Sequence, residues 1–430
     1  MFDTIVAPIT ASGGAVSLIR LSGPEAWAIA AKVCTPFPTN PESHRMYRVK
    51  FSNQDDGLVG LFEHGRSYTG EETAEIHVHG SSLSVATLCE NLIAKGARMA
   101  RPGEFSERAF LNGNLDLTQA EYINDTVRAS TRRQLAIANE GRSGALHKSI
   151  ESIESVLTKH LAAIEASVDF SEEIGEADTN KIRLELQPIL NQLDDLIIRS
   201  EQGRIIREGL RIAIVGPPNA GKSSLLNRLL GAQRAIVTDI AGTTRDYVEE
   251  TCELGGLLCL LIDTAGIRES EDVVESLGIQ RARSQAAQAD LIWYLVDANI
   301  GLTPNDEQEI ASFAPPVWKI VNKIDNHKNI PPATIGISTY TGEGISQLIQ
   351  QVSELVPELG GVVPNRRHSK SLTSVRESVE AILMGIQYHH PDDLLVTHFR
   401  SALFELGQIT GTSASTDLLE RIFSDFCIGK

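Results

Sequence analysis

The sequence predicts a multidomain α/β protein: an N-terminal α+β domain, an all-α helical domain split in sequence, and a P-loop nucleotide-binding domain inserted into it. Three observations carry this. Short alternating strands mix with helices over residues 1–112; long helical periodicity follows and returns after Pro364; and between the two lies Gly216-Pro-Pro-Asn-Ala-Gly-Lys222-Ser223, a glycine-rich turn flanked by an apolar run and a helical pattern. At 430 residues the chain is long enough for two or three cores.

In the first segment, Ala15 to Leu21 and Ala74 to His79 read as strands. From Leu117 to Val168, and again from Thr179 to Arg207, the pattern is helical, so two or three long helices are expected around a loop at 169–175. The nucleotide domain then occupies about 208–363. Helices are expected again over Ser369–Tyr388, Asp392–Gly407 and Thr416–Phe426. The expected domains are thus 1–112, 113–207 with 364–430, and 208–363. Insertion is physically easy where two chain ends lie close together.

The inserted segment carries the chemistry. Arg211-Ile-Ala-Ile-Val215 precedes the glycine-rich turn and Ser224-Leu-Leu-Asn-Arg-Leu-Leu230 follows it, so backbone N–H groups of Asn219, Ala220, Gly221, Lys222, Ser223 and Ser224 can close around phosphates at a helix N-terminus. Lys222 can reach the β- and γ-phosphates, and Ser223 can ligate Mg²⁺. Asn322-Lys323-Ile324-Asp325 ends another apolar run and reads as a guanine clamp, because the Asp325 carboxylate can accept from N1 and N2 of guanine, donors that adenine lacks. Ser338 and Thr339 join the base site. Asp263-Thr264-Ala265-Gly266 follows the strand Leu257–Ile262 and supplies a carboxylate for the magnesium shell and a glycine N–H for the γ-phosphate. Thr238, Asp239, Ile240, Ala241, Gly242, Thr243 and Thr244 lie where a GTPase keeps its first switch, with Thr244 completing the Mg²⁺ site. Four such motifs in order at strand ends identify a Ras-like P-loop GTPase domain.

Composition narrows the partners. With 39 Lys plus Arg against 56 Asp plus Glu, the formal net charge is −17, which disfavours non-specific phosphate contacts, so a nucleic-acid substrate needs a local basic patch or a partner. There is no basic leader and no long apolar span, and a cytoplasmic protein without a membrane is expected. Cys34, Cys89, Cys252, Cys259 and Cys427 are odd in number and lack zinc spacing; the first four read as small hydrophobes. His77 and His79 lack the further ligands a metal needs.

The P-loop form, the segment Ile236-Val-Thr-Asp-Ile-Ala-Gly-Thr-Thr-Arg-Asp246, the stretch Arg101-Pro-Gly-Glu-Phe-Ser-Glu-Arg-Ala-Phe-Leu-Asn112 and the terminus Arg421-Ile-Phe-Ser-Asp-Phe-Cys-Ile-Gly-Lys430 together resemble the bacterial tRNA uridine-modification GTPases, the MnmE (TrmE) family, from end to end. The resemblance implies an N-terminal folate-binding domain that dimerises, a split helical domain and an inserted GTPase. It further implies that, with a flavin-containing GidA/MnmG partner in a heterotetramer, the protein places a carboxymethylaminomethyl or aminomethyl group on C5 of the wobble uridine of certain tRNAs, the one-carbon unit coming from a tetrahydrofolate.

Ile267 stands where Ras-like enzymes keep a water-orienting glutamine, so hydrolysis needs another device. The resemblance implies a K⁺ ion bound by Asn219 with Thr238, Ile240 and Thr243, and assigns the water-orienting role to Glu275. It maps folate contacts to Arg20, Glu75 and Lys430. Asn114 stands where the family often has a lysine, and the 10–14 run lacks a frequent arginine. Cys427, near the end of the last helix, reads either as a nucleophile or one-carbon relay, or as a packed thiol. The rival function is a GTPase switch or ribosome-assembly factor without one-carbon chemistry. It shares every GTPase residue and differs at the N-terminal domain and terminal segment.

Overall fold

Alternation of apolar and polar residues builds the first sheet. The computed structural model describes the chain except residues 1–2, 12, 171–174, 176, 233–248, 264–286, 327–329, 357–358 and 430. The N-terminal elements are β1 (Ile5–Pro8), β2 (Val16–Ser22), α1 (Ala26–Ala31), β3 (Cys34–Thr35), β4 (Arg45–Phe51), β5 (Asp56–Phe62), β6 (Thr73–His79), α2 (Ser82–Ala94), β7 (Arg98–Met99) and α3 (Glu104–Leu111). The strands form one sheet in the order β3-β4-β5-β6-β2-β1-β7. Ile19 and Leu21, Val59 and Leu61, and Ile76 and Val78 pack with Ile29 of α1 and Leu88 and Leu92 of α2 in one buried cluster. Period-two alternation turns Arg20 of β2 and Glu75 of β6, which are directly opposite in the register, to the other face.

Helices α4 (Leu117–Arg128), α5 (Arg132–Arg142), α6 (Ala145–Asp169) and α7 (Thr179–Glu208) follow. Among the described residues four helices stand where two or three were expected, because two breaks interrupt the first helical stretch. At the first, Thr131 and Gln134 form a capping box: Gln134 N donates to Thr131 Oγ1 at 3.3 Å, and Thr131 N donates to Gln134 Oε1 at 3.1 Å. At the second, Gly144 takes a left-handed φ of +75° as N-cap of α6.

The inserted elements are β8 (Leu210–Val215), α8 (Lys222–Ala232), β9 (Glu249–Leu254), β10 (Leu257–Asp263), β11 (Leu291–Asp297), α9 (Pro304–Ala311), β12 (Val317–Asn322), β13 (Ile335–Ile337) and α10 (Ile345–Glu354). Their sheet runs β13-β12-β11-β8-β10-β9, parallel except for the β9–β10 hairpin. The run Leu291–Val296 is buried throughout, as a central parallel strand requires. The chain ends in α11 (Arg366–Gln387), α12 (Asp392–Thr410) and α13 (Thr416–Ser424).

Two compact units result. One comprises Met1–Asn124, Arg142–Leu186 and Glu377–Lys430; the other comprises Asp125–Gly141 and Gln187–Arg376. The α5 segment falls in the unit with the parallel sheet because Ile137 packs in one cluster with Ile206, Leu210, Leu254 and Val363. Arg133 adds hydrogen bonds to the carbonyl of Val356 at 2.9 Å and to Ser353 Oγ at 3.1 Å.

The N-terminal domain is closed by a buried ionic cluster. Arg108, 2% exposed, donates from Nη1 to both Glu71 oxygens at 3.2 Å and from Nη2 to Glu104 at 3.1 Å and Asp3 at 2.9 Å. Arg98 donates to Glu104 Oε1 at 2.7 Å and to Asp3 Oδ2 at 2.7 Å. Burial alone would raise the Glu104 carboxyl, but hydrogen bonds from Arg98, the Arg101 backbone and Arg108 outweigh it and hold the group at about 2, against an ordinary 4.5. A depressed carboxylate contributes stability above its unfolded pKa and loses it as pH falls through its folded one, here between pH 4.5 and 2, by about 3 kcal/mol. Glu104→Gln is therefore expected to lower thermal stability strongly at pH 7, by about 3 kcal/mol or more. The gap from the parent should narrow as pH falls from 4.5 toward 2, which calorimetry at both ends of the range would measure; a gap of constant size would refute the assignment.

Candidate functional site

Strand β8 delivers the chain into a turn that only its residue types permit. Gly216 has φ +141°, and a Cβ there would stand 2.1 Å from the carbonyl oxygen of Leu295; Gly221 has φ +98°, and a Cβ there would meet the Asn322 amide at 2.2 Å. Between them Asn219 takes a left-handed φ of +63°, a conformation asparagine tolerates better than most residues. Lys222, 8% exposed at the first turn of α8, donates from Nζ to the carbonyls of Gly216 at 2.8 Å and Pro217 at 2.9 Å. Its charge is thereby held at the loop, where phosphate oxygens would replace these neutral acceptors with anionic ones. Ser223 and Ser224 are exposed at the same helix start.

The candidate base-reading segment at the end of β12 is latched to this loop. Asn322, fully buried at the end of β12, donates to the carbonyl of Ala220 at 2.8 Å and accepts from Thr339 N at 3.1 Å. Lys323, also left-handed at φ +66°, donates to the carbonyl of Asn219 at 3.0 Å and to Asp297 Oδ2 at 2.7 Å. Two left-handed non-glycine residues are thus joined by one hydrogen bond. Asp325 is exposed, and its Oδ1 accepts from Ser338 Oγ at 2.5 Å, which fixes the carboxylate. Asn219, Ala220, Gly221, Lys222, Ser223, Ser224, Asn322, Lys323, Asp325, Ser338 and Thr339 are thus brought into one constellation.

Asp263 ends β10 opposite Ile214 of β8, beside the start of the loop. Thr238, Asp239, Ile240, Ala241, Gly242, Thr243, Thr244, Thr264, Ala265, Gly266 and Glu275 lie outside the described residues, as do the side chain of Asp263 and all of Lys430.

The N-terminal candidates form a second constellation. Arg20 pairs with Glu75, Nε to Oε1 at 2.9 Å and Nη2 to Oε1 at 2.8 Å, and its guanidinium lies 4.8 Å from the ring centroid of Tyr68 and 5.5 Å from that of Phe105. Tyr68 hydroxyl meets Ser106 Oγ at 2.8 Å, and burial pushes its pKa up. Asn114 donates to the carbonyls of Ser67 at 3.0 Å and Tyr68 at 3.4 Å, and Asn112 to that of Thr69 at 2.7 Å, so both amides brace the loop that carries Tyr68. Tyr68 and Phe105 were not singled out from the sequence. The signal was available for Phe105 in the 101–112 stretch, whereas Tyr68 is separated from Arg20 by 48 positions of chain and only the fold unites them.

The terminal segment reaches the same domain. Gly103 N at the start of α3 donates to the carbonyl of Cys427 at 3.4 Å, Phe423 and Phe426 pack with Leu117 and Ala120, and Gly429 is so close to Pro8 that a Cβ would lie 2.3 Å from its carbonyl oxygen. Cys427 is half-buried. The other four cysteines are buried, and burial pushes the Cys34 thiol up to about 12 and the Cys89 thiol up to about 11. His79 pairs with Asp55 at 2.6 Å. No cluster of metal-ligating side chains is present among the described residues, and no described helix is long and apolar enough to cross a membrane.

Comparison with known proteins places this geometry. Residues 4–114 match the family described as GTP-binding protein TrmE N-terminus, and residues 117–427 match the MnmE helical domain. The chain belongs to the MnmE (TrmE) family of tRNA modification GTPases. It is 42% identical to the tRNA modification GTPase MnmE of Moorella thermoacetica, over all of this chain and 99% of that one, and 39% identical to that of Synechococcus sp., over all of this chain and 98% of that one. Era of Aquifex aeolicus, solved with GDP and aluminium fluoride, is 28% identical over 39% of this chain and 66% of its own, at a TM-score of 0.27. The fold is accordingly that of the family: a TrmE-type N-terminal domain, a helical domain and a P-loop GTPase within it.

Asp325→Asn is expected to lower GTP affinity and raise that for XTP, because one carboxylate acceptor becomes an amide donor suited to O2 of xanthine. Titration of the purified protein with both nucleotides checks this; unchanged GTP binding with no gain for XTP would show that the base is read elsewhere.

Proposed function

We propose that this chain hydrolyses GTP and couples its turnover to formation of the 5-carboxymethylaminomethyl or aminomethyl group at the wobble uridine of tRNA, acting as a cytoplasmic homodimer with a flavin-containing GidA/MnmG-type partner. The observation that carries the reading is the buried Asn322, which joins the phosphate loop to the loop carrying the guanine-reading residues. Family membership over the whole length extends it from nucleotide binding to tRNA modification. In this reading residues 1–112 bind folate and dimerise, 113–207 and 364–430 form the helical domain, and 208–363 form the GTPase.

In the GTPase, Lys222 exchanges the carbonyls of Gly216 and Pro217 for β- and γ-phosphate oxygens, and Asp325 accepts from guanine N1 and N2. Ser223, Thr244 and Asp263 supply oxygen donors of the type Mg²⁺ takes, and Asn219 with Thr238, Ile240 and Thr243 those for K⁺. Bound there, the two cations neutralise charge on the phosphates. Glu275 orients the attacking water, since Ile267 carries no group able to do so. In the N-terminal domain Glu75 offers acceptors to the donor edge of a pterin, Arg20 and Lys430 meet its anionic tail, and the Tyr68 and Phe105 rings lie under the Arg20 guanidinium and hold it in place. Asn114 contributes by holding the Tyr68 loop. Cys427 serves the one-carbon step from the tail that α3 anchors.

Hydrolysis is expected to require K⁺ and to fall by about 10²–10³ in Na⁺ or Li⁺, the loss expected when one electrostatic contribution to the transition state is removed. Equal turnover in the three salts at matched ionic strength would rule this out. Cys427→Ser is expected to leave GTP turnover within about threefold while abolishing wobble-uridine modification in cells, whereas Glu275→Ala should slow hydrolysis by about 10² or more with GTP binding retained. Normal modified-uridine levels in the Cys427→Ser strain would demote the cysteine to packing, and would favour the switch or ribosome-assembly reading if folate binding were also absent.

A further inference from the structure

We propose that Arg228 is the positioning residue for guanine discrimination: from the second turn of the phosphate-binding helix it holds in place the loop that orients Asp325. The proposal rests on the guanine-nucleotide reading above and adds a residue that no motif contains.

Beyond Ser338 and the Thr339 N–H, which bond to Asp325 and Asn322, the loop after β13 has few ties to the rest of the domain. Ser338 is fully buried, but none of the next four residues is, and the Tyr340 side chain is 86% exposed. Apolar packing therefore does not fix the loop; hydrogen bonds do. Internally, Thr341 N donates to Ser338 Oγ at 3.1 Å and Gly342 N to the carbonyl of Ser338 at 2.9 Å. Those bonds shape the turn without tying it to the rest of the domain. Arg228 supplies the tie, donating from Nη1 to the carbonyls of Thr339 at 3.2 Å and Tyr340 at 3.1 Å, and from Nη2 to that of Thr341 at 3.2 Å. Three successive carbonyls are gathered by one planar guanidinium, a geometry that a lysine ammonium cannot reproduce.

Gly342 makes room for it. A Cβ at this position, where φ is +91°, would lie 2.2 Å from Arg228 Nη2. The loop's upstream end bears Ser338, whose hydroxyl fixes Asp325, and Thr339, whose N–H fixes Asn322. Arg228 lies six residues after Lys222 on the same helix. One helix therefore carries both the phosphate contact and a tie to the base loop, alongside the Asn322 bonds that set their spacing. Freed from Arg228, the loop would lose its anchor to α8, and Asp325 would lose the fixed direction that lets both its oxygens read N1 and the 2-amino group together.

The test is binding of GDP and IDP to full-length protein by calorimetry, in the parent, Arg228→Gln and Arg228→Lys. IDP lacks the 2-amino group and so reports how much of the affinity comes from the second Asp325 contact. Arg228→Gln is expected to weaken GDP about tenfold and IDP about twofold, so that the GDP-to-IDP preference drops about fivefold, while kcat at saturating GTP stays within about twofold and KM rises. Arg228→Lys, with a single point donor, should fall between. A fold-wide disturbance would weaken both nucleotides alike, so the ratio distinguishes positioning from damage. A GDP-to-IDP ratio within twofold of the parent in both variants would overturn the proposal. If the glutamine variant does not fold, the lysine variant alone decides, a ratio at least twofold below the parent's sustaining the proposal. A parent that binds ADP as tightly as GDP would instead remove the guanine reading itself, and Arg228's role with it.

Discussion

The nucleotide site depends on one buried amide. Asn322 is fully enclosed at the end of β12, and its two polar ends are used on opposite sides: the nitrogen on the carbonyl of Ala220, the oxygen on the N–H of Thr339. An amide so placed cannot lose either partner cheaply, because an unsatisfied buried donor or acceptor costs about 1–3 kcal/mol. The phosphate loop and the base loop are therefore held at a fixed separation, and Gly221 is required because a side chain there would occupy the space of the Asn322 amide. The left-handed residues Asn219 and Lys323, linked by the Lys323 ammonium, add a second tie between the same two segments. What the guanine reading needs is a rigid base clamp at a defined distance from a phosphate cradle, and these ties supply it.

In the N-terminal domain the equivalent constraint is ionic. Arg108 and Arg98 gather Asp3, Glu71 and Glu104 into a cluster linking the first residues of the chain, the 67–71 loop and α3. That loop carries Tyr68, and α3 carries Phe105, the two rings beside Arg20. The cluster accordingly does more than close a core: it fixes the two sides of the platform on which the proposed cofactor chemistry stands. The terminal segment docks at the start of the same helix through the Cys427 carbonyl and through Phe423 and Phe426, and the thiol is left half-buried while the other four are buried.

Much of this was legible in the sequence, and the exceptions have identifiable causes. The glycine-rich turn, the strand and helix on either side of it and the Asn322–Asp325 segment at a strand end are local patterns, and each element sits where its spacing placed it. The breaks between α4, α5 and α6 were missed because they depend on a Thr131–Gln134 capping box and a left-handed Gly144, signals of four residues and of one inside a strongly helical stretch. The Tyr68 and Phe105 platform escaped because cation–π partners carry no sequence spacing of their own. Asn114 looked like a lost charge at a ligand position; in the fold its amide is spent on the carbonyls of Ser67 and Tyr68. Arg228 escaped for a related reason: its acceptors are backbone carbonyls more than 110 positions away, which no residue pattern encodes.

The central claim is that phosphate capture by this P-loop serves modification of tRNA. Mass spectrometry of tRNA nucleosides from a strain deleted for the gene, complemented either by the parent chain or by Lys222→Ala, addresses it most directly. The C5-substituted wobble uridine should return with the parent and remain absent with the variant. Parental levels of that nucleoside in the uncomplemented or Lys222→Ala strain would contradict it.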